Sequence, residues 1–226
     1  MNQDGFTLLE MLVVILVSSI LMLALYTFAL AGISGGNKAY NQTVVMSNTQ
    51  TAVETIARNI RSAKSVEANN SQPDANAPGA PGNLYSWSGV AGINTPIILA
   101  IPSRDASGNL IYIDGLHNSL YTDDVVYYLD SGAHNLYKRT IANQAAPGNV
   151  AKTTCPPALA TAACPADASV VEDIARLNSN YVGADGASVS LPSGTESVAF
   201  TIMETKMIGT QSISASFSTT TTLRNK

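Results

Sequence analysis

From Met11 to Asn37 the chain carries no charged residue, and Met11 to Ala31 is almost solid Leu, Val, Ile, Met, Phe and Ala, broken only by Ser18, Ser19, Tyr26 and Thr27. No Pro or Gly interrupts this run before Gly32. An α-helix rises about 1.5 Å per residue, so roughly 20 apolar residues cross a hydrocarbon core about 30 Å thick. The run is therefore long enough to span a bilayer as one helix. The core helix of a globular domain is rarely apolar on every face over such a length. A secretory signal peptide has a basic start, an apolar stretch of about 7–15 residues and a small-x-small cleavage site. Here no Lys or Arg precedes Met11, and the apolar run is too long. A plain signal anchor accounts for the length but not for Glu10, an acid just inside the apolar segment. A carboxylate in that position is costly unless it is neutralised or paired, which makes Glu10 a functional residue in need of a cation.

The residues around Glu10 suggest the cation. Gly5-Phe6-Thr7-Leu8-Leu9-Glu10, directly in front of a long apolar helix, resembles the processing site of type IV prepilins and the related pseudopilins. The resemblance covers Gly5 to about Ala31. It implies that a dedicated membrane peptidase, the prepilin peptidase, cuts after Gly5. Phe6 is then the first residue of the mature chain and is N-methylated. It also implies that Glu10 pairs with the N-terminal amine of a neighbouring subunit, which compensates two buried charges and sets the axial register. Two departures stand out. Leaders in this family are usually basic, whereas this one carries Asp4, which weakens an orientation argument from positive charge. Many major pilins also have a proline where Thr27 stands, so no kink is expected there.

Past the apolar run, Gly32 and the Gly35-Gly36 pair are expected to loosen the helix, since Gly costs a helix about 1 kcal/mol relative to Ala. A helical period then resumes over about Lys38 to Val66. Ala52, Val53, Ile56, Ile60 and Ala63 share one face, while Glu54, Arg58, Arg61 and Lys64 take others. Asn69 to Gly82, rich in Asn, Pro, Ala and Gly, reads as a loop. Short strand-like runs follow at Ile97 to Ile101 and Leu110 to Ile113. Asp124 to Leu129 and Leu136 to Ile141 flank Asp130-Ser-Gly-Ala-His-Asn135 and read as an antiparallel hairpin. Ala142 to Pro165 is a Pro-rich loop, and Ser169 to Leu177 is a strand or a short helix. Ser197 to Glu204 and Gln211 to Leu223 are the last strands. The second alternates Ile213, Ala215 and Phe217 with serines, and the Thr219 to Thr222 run at its end reads as a strand edge.

One long helix followed by antiparallel strands predicts an α+β, pilin-like fold with a sheet packed on the helix. The expected organisation is a leader over residues 1–5, an apolar transmembrane and assembly helix over 6–36, and an extracytoplasmic globular domain over 37–226. At a second level, Ile56-Ala-Arg-Asn-Ile-Arg-Ser-Ala63, the Val-Tyr-Tyr-Leu … Leu-Tyr-Lys-Arg hairpin and Leu223-Arg-Asn resemble the W-type minor pilins and the J-type minor pseudopilins of type II secretion. The resemblance implies an inner-membrane protein, lifted by an assembly platform into a helical fibre beside other pilin or pseudopilin subunits. A minor pilin at or near the tip is the expected role. A minor pseudopilin and a tip subunit for adhesion or DNA uptake are the alternatives, with the loops Asn69–Gly82 and Ala142–Pro165 as the contact surface of such a tip.

Other chemistry finds little support. Net charge is −4 and the 12 Lys and Arg are scattered, so no cationic stripe exists to displace counterions from nucleic acid. The aromatic share is 6%, and no stacking platform stands out. Cys155 and Cys164 lie in a Pro-rich context with no His beside them. That spacing is neither a zinc set nor Cys-x-x-Cys. A disulfide closing a small surface loop is expected, with two free thiols as the alternative. No phosphate-binding loop, nucleophile elbow or His pair at helical spacing is present. His117 and His134 fall in turn-like sequence and read as solvated. Asp114, Asp123 and Asp124 lack EF-hand spacing and read as exposed turn acids rather than a calcium site. The chain is expected to be a structural subunit without catalytic residues, metal or cofactor.

Overall fold

The structure is a computed structural model. It describes residues 7–77, 86–114, 116–192, 194–208 and 211–224. Helix α1, Leu8–Ser62, is a single helix of 55 residues. It is not interrupted at Gly32, Gly35 or Gly36, contrary to the loosening expected there, and nothing lies within 4 Å of a Cβ added at any of the three. The cost of three glycines is small against the rest of the 55-residue helix, because propagation adds a hydrogen bond for each residue fixed. Thr27 is helical, its hydroxyl donating to the Ala24 carbonyl at 2.9 Å.

The chain divides into two compact units, residues 1–44 and 45–226. In the first, every described residue from Thr7 to Tyr40 is exposed. In the second, α1 buries Val45, Thr49, Ala52, Val53, Ile56, Ala57 and Ile60, the three-and-four spacing of one helix face. The helix ends at Ser62 rather than near Val66, because Ser65–Glu67 is drawn into a sheet as strand β1.

Among the described residues, ten strands form two antiparallel sheets rather than the single sheet expected. The first has the order β1-β3-β4-β5-β6, where β3 is Ile97–Pro102, β4 Thr122–Asp130, β5 Asn135–Ile141 and β6 Ala168–Val171. The second has the order β10-β9-β7-β2, where β2 is Gly92–Ile93, β7 Ile174–Val182, β9 Ser197–Ile208 and β10 Gln211–Thr222. The short β8, Ser188–Val189, pairs with β7. The expected hairpin is β4–β5, paired from Asp124↔Ile141 to Asp130↔Asn135. Ser169 to Leu177 is extended but divides between the two sheets, with Glu172 and Asp173 at the break. Leu110 to Ile113 forms only isolated bridges at Leu110 and Tyr112. Strand β10 lies at a sheet edge, and its threonines lie there with it.

Both sheets and the second unit's share of α1 meet in one core. Ile56 and Ile60 from the helix join Ile97, Val125 and Tyr127 from the first sheet and Ile174, Phe200 and Ile202 from the second. Burying each such side chain contributes about 1.5–3 kcal/mol. The first sheet also buries its other face. Ile98, Val126 and Ile141 pack with Ala77 and Trp87 from the loop after β1. Asp123 to Tyr127 is therefore buried without interruption, the run expected of a strand covered on both sides.

Candidate functional site

Two regions carry the side chains of functional interest. In the first unit, Thr7 caps α1. Its side-chain oxygen accepts from the Glu10 backbone N–H at 3.3 Å, and its carbonyl accepts from the same N–H at 3.0 Å. Thr-x-x-Glu is the pattern of a helix capping box, a signal present in the sequence that the reading of Glu10 as an assembly acid passed over. A carboxylate in the first turn also suits the positive end of the helix dipole. The cap itself is made by Thr7 to the Glu10 backbone. Gly5 and Phe6 lie outside the described residues.

Beyond the cap, α1 presents an apolar surface on every side. Leu12, Ile15, Leu16, Ile20 and Leu23 are each more than half exposed. It is long and apolar enough to cross a membrane. Three of its hydroxyls bond back to the helix: Ser19 donates to the Leu16 carbonyl at 2.8 Å, Thr27 to that of Ala24 at 2.9 Å and Ser34 to that of Ala31 at 3.0 Å. Hydrocarbon leaves no other partner for such groups, so this back-bonding suits a lipid-facing helix.

In the second unit, the polar centre is Arg139 on β5, which is fully buried. Its Nε and Nη2 donate to Asp74 at 2.6 and 2.7 Å, and its Nη1 to Asp167 at 3.2 Å. The Trp87 indole N–H donates to Asp74 at 2.7 Å, the Tyr128 hydroxyl to Asp167 Oδ2 at 2.7 Å and the Thr154 hydroxyl to Asp167 Oδ1 at 2.5 Å. One guanidinium thereby fixes two loops, since Asp74 belongs to the loop after β1 and Asp167 closes the cysteine loop. Burial and the neighbouring Asp167 carboxylate push the Tyr128 hydroxyl well above its ordinary range. This network was not read from the sequence, where Asp74 and Asp167 look like ordinary loop acids. The signal for it was Arg139 itself, a cation at an inward position of a strand.

The disulfide Cys155–Cys164 closes the second loop, with Cα atoms 5.6 Å apart. Asp123 and Asp124 are not exposed turn acids. They lie in β4, and both are buried. Asp123 accepts from the Asn143 backbone N–H at 2.8 Å and the Asn149 amide at 2.7 Å. Asp124 accepts from the Gln72 N–H at 2.8 Å and the Ser71 hydroxyl at 3.0 Å, and burial raises its pKa. Adjacent strand residues face opposite ways, so the two carboxylates diverge instead of gathering an ion. No group of three or more His, Cys, Asp and Glu poised for a metal occurs among the described residues. His117 and His134 occupy turns with φ of 59° and 56°.

A third polar contact lies inside the core. Thr49 Oγ1 is 2.8 Å from both the Val45 carbonyl oxygen and Glu204 Oε2 on β9. A hydroxyl has one proton. Thr49 serves both neighbours at once when Glu204 is protonated and donates to it. Burial raises the Glu204 pKa, while the hydrogen bond with Thr49 lowers it by less.

Comparison with known proteins bears on the first region. No curated protein matches the chain. Residues 1–26 match the model of the prokaryotic N-terminal methylation motif. That segment takes in Glu10, its Thr7 cap and the first part of the uncovered apolar helix, and the match supports the resemblance to type IV pilins and pseudopilins.

Proposed function

We propose that the chain is a minor subunit of a type IV pilus. Prepilin peptidase cuts it after Gly5, and it waits in the inner membrane with the two-sheet domain outside the cytoplasm. An assembly platform then moves it into a fibre at or near the tip, where it primes assembly. The observation that carries this reading is the uncovered apolar helix fronted by Glu10 within the matched motif. Such a surface needs lipid before assembly and neighbouring helices after it, and close packing among like helices offsets removal from the bilayer. Glu10 then meets the N-terminal amine of a neighbouring subunit.

The test is a clean deletion complemented with wild type, Glu10→Gln or Glu10→Ala, with surface pili and secreted enzymes measured in the same cultures. Glutamine keeps an amide at the helix start and removes only the charge, so it separates capping from pairing. Loss of pili with normal secretion is expected, with neither variant restoring pili. Loss of secretion with intact pili makes the protein a minor pseudopilin instead. Full rescue by Glu10→Gln overturns the pairing role.

A further inference from the structure

We propose that the second unit carries a binding cleft for a neutral saccharide, walled by the two loops that Arg139 holds. A cleft of about 550 Å³ lies within the ~300–1,000 Å³ typical of small-ligand sites. Three aromatic rings gather at it. The Trp87 and Tyr128 ring centroids are 4.8 Å apart, and those of Tyr128 and Tyr137 are 5.7 Å apart. Pro156 and Pro157 from the cysteine loop and Pro96 before β3 complete the apolar wall. Asn76, Asn94, Asp130 and Ser131 supply polar groups around it. The low aromatic share of the sequence hid this cluster, because its members come from a loop and two strands.

The chemistry of the lining selects the ligand class. No Lys, Arg or His is among the described residues that line the cleft, and the one charged group, Asp130, is an anion. Phosphate, sulfate and carboxylate ligands are therefore disfavoured. Two of the three aromatic donors are already engaged, Trp87 with Asp74 and Tyr128 with Asp167. A proline-rich peptide, which needs several such donors for its carbonyls, finds only the Tyr137 hydroxyl, which accepts from the Asn135 amide at 3.2 Å. What remains is an apolar ring wall beside amide, carboxylate and hydroxyl groups. A sugar matches this pairing, with a C–H face for the half-buried Tyr128 ring, since Trp87 and Tyr137 are buried, and with hydroxyls that both donate and accept.

The cleft is also held in shape before any ligand arrives. Asp74 fixes the loop that carries Asn76, and Asp167 with the disulfide fixes the loop that carries Pro156 and Pro157. Both Asp130 and Asn94 are set by backbone contacts. Asp130 accepts from the Gly132 N–H at 2.9 Å, and Asn94 Oδ1 from the Leu177 N–H at 3.0 Å. Prior ordering of this kind lowers the entropic cost of binding.

Trp87 is the only tryptophan of the chain, so intrinsic emission reports on this cleft. Full-length protein in a detergent without a sugar headgroup is titrated with maltotriose, triacetylchitotriose, lactose and a ten-proline peptide. At least one saccharide is expected to shift the emission saturably with a midpoint below about 5 mM. Ser131→Arg, an exposed change that fills the mouth, is expected to weaken that midpoint at least about tenfold, and Glu54→Ala on the helix to leave it unchanged. Ala158→Arg, also exposed, is the second blocking variant should Ser131→Arg alter the circular dichroism spectrum. Absence of a saturable shift with every saccharide overturns the proposal. So does a shift with the peptide alone, or a saccharide midpoint unmoved by the blocking variants. Pilus counts in the Ser131→Arg strain are expected to equal wild type, which keeps this result separate from the assembly reading.

Discussion

Helix α1 contains two regions of the same secondary structure and opposite chemistry. Between Thr7 and Tyr40 every described residue is exposed. From Val45 to Ile60 one face is buried, with Ile56 and Ile60 at zero exposure. The first stretch is apolar all round and has no amphipathic face to present. The second spaces Ala52, Val53, Ile56 and Ile60 on one side and charges on the others. Backbone hydrogen bonds hold both stretches helical, so helicity says nothing about their roles. The placement of apolar side chains separates a helix that needs an outside partner from one that already has its partner in the same domain.

Paired truncations test this contrast most strongly. Ile56→Ala is expected to destabilise the second unit by about 2–5 kcal/mol, the cost of a core cavity. Leu16→Ala is expected to change domain stability by less than about 0.5 kcal/mol, while changing membrane retention or assembly. Denaturant unfolding followed by near-ultraviolet circular dichroism, on the full chain in detergent, measures both. Equal losses from the two variants would break the contrast.

A second change asks whether the domain depends on its covalent link. The double variant Cys155→Ser with Cys164→Ser is expected to cost about 2–3 kcal/mol, since a short closed loop gains the least from a disulfide. The same unfolding measurement checks it. A loss near zero would mean that the Asp167 contacts alone hold the loop.

A smaller effect concerns the buried carboxylate beside the helix. Because burial raises the Glu204 pKa, the folded state holds this proton more tightly than the unfolded state does. Its contribution to stability is therefore most favourable at low pH and is lost as pH rises through the folded pKa. Asp173 and Lys206 face the same group. Glu204→Gln is expected to remove that slope, so the stability of the variant relative to wild type rises with pH. Unfolding midpoints of both proteins across the acid-to-neutral range test this, and a constant difference would show that Glu204 does not titrate there.

The smallest expected change lies in the apolar stretch. Gly36→Ala meets open space and is expected to stabilise the helix by about 1 kcal/mol or less, without moving the unfolding midpoint of the domain. Amide hydrogen exchange around residue 36 reads the local effect. A moved domain midpoint would mean that the two regions are coupled in stability.

Much of this was legible from periodicity. The face of Ala52, Val53, Ile56, Ile60 and Ala63, the β4–β5 hairpin and the alternation along β10 are local patterns, and local patterns survive folding. The division into two sheets was not legible, because pairings such as β7 with β2 join distant residues and leave no spacing to read. Ser65 and Val66 looked like more helix because strand pairing with β3 overrides local propensity. Asp123 and Asp124 looked like turn acids because burial of a carboxylate depends on donors that come from elsewhere, here Asn143, Asn149, Ser71 and Gln72. In the first region Glu10 was legible as an acid fronting an apolar run, and the Thr7 cap beside it was legible too, as Thr-x-x-Glu.

The two loops around Arg139 limit how this domain can be re-engineered. A surface loop is ordinarily the part of a protein most open to replacement. Here each loop reaches inward with one carboxylate, and the guanidinium needs both. Removing either acid leaves buried charge short of a partner, a change that typically costs about 3–5 kcal/mol. Neither loop is a detachable module. A graft that rewrites the outer residues is tolerated only if it also supplies an aspartate at the depth of Asp74 or Asp167.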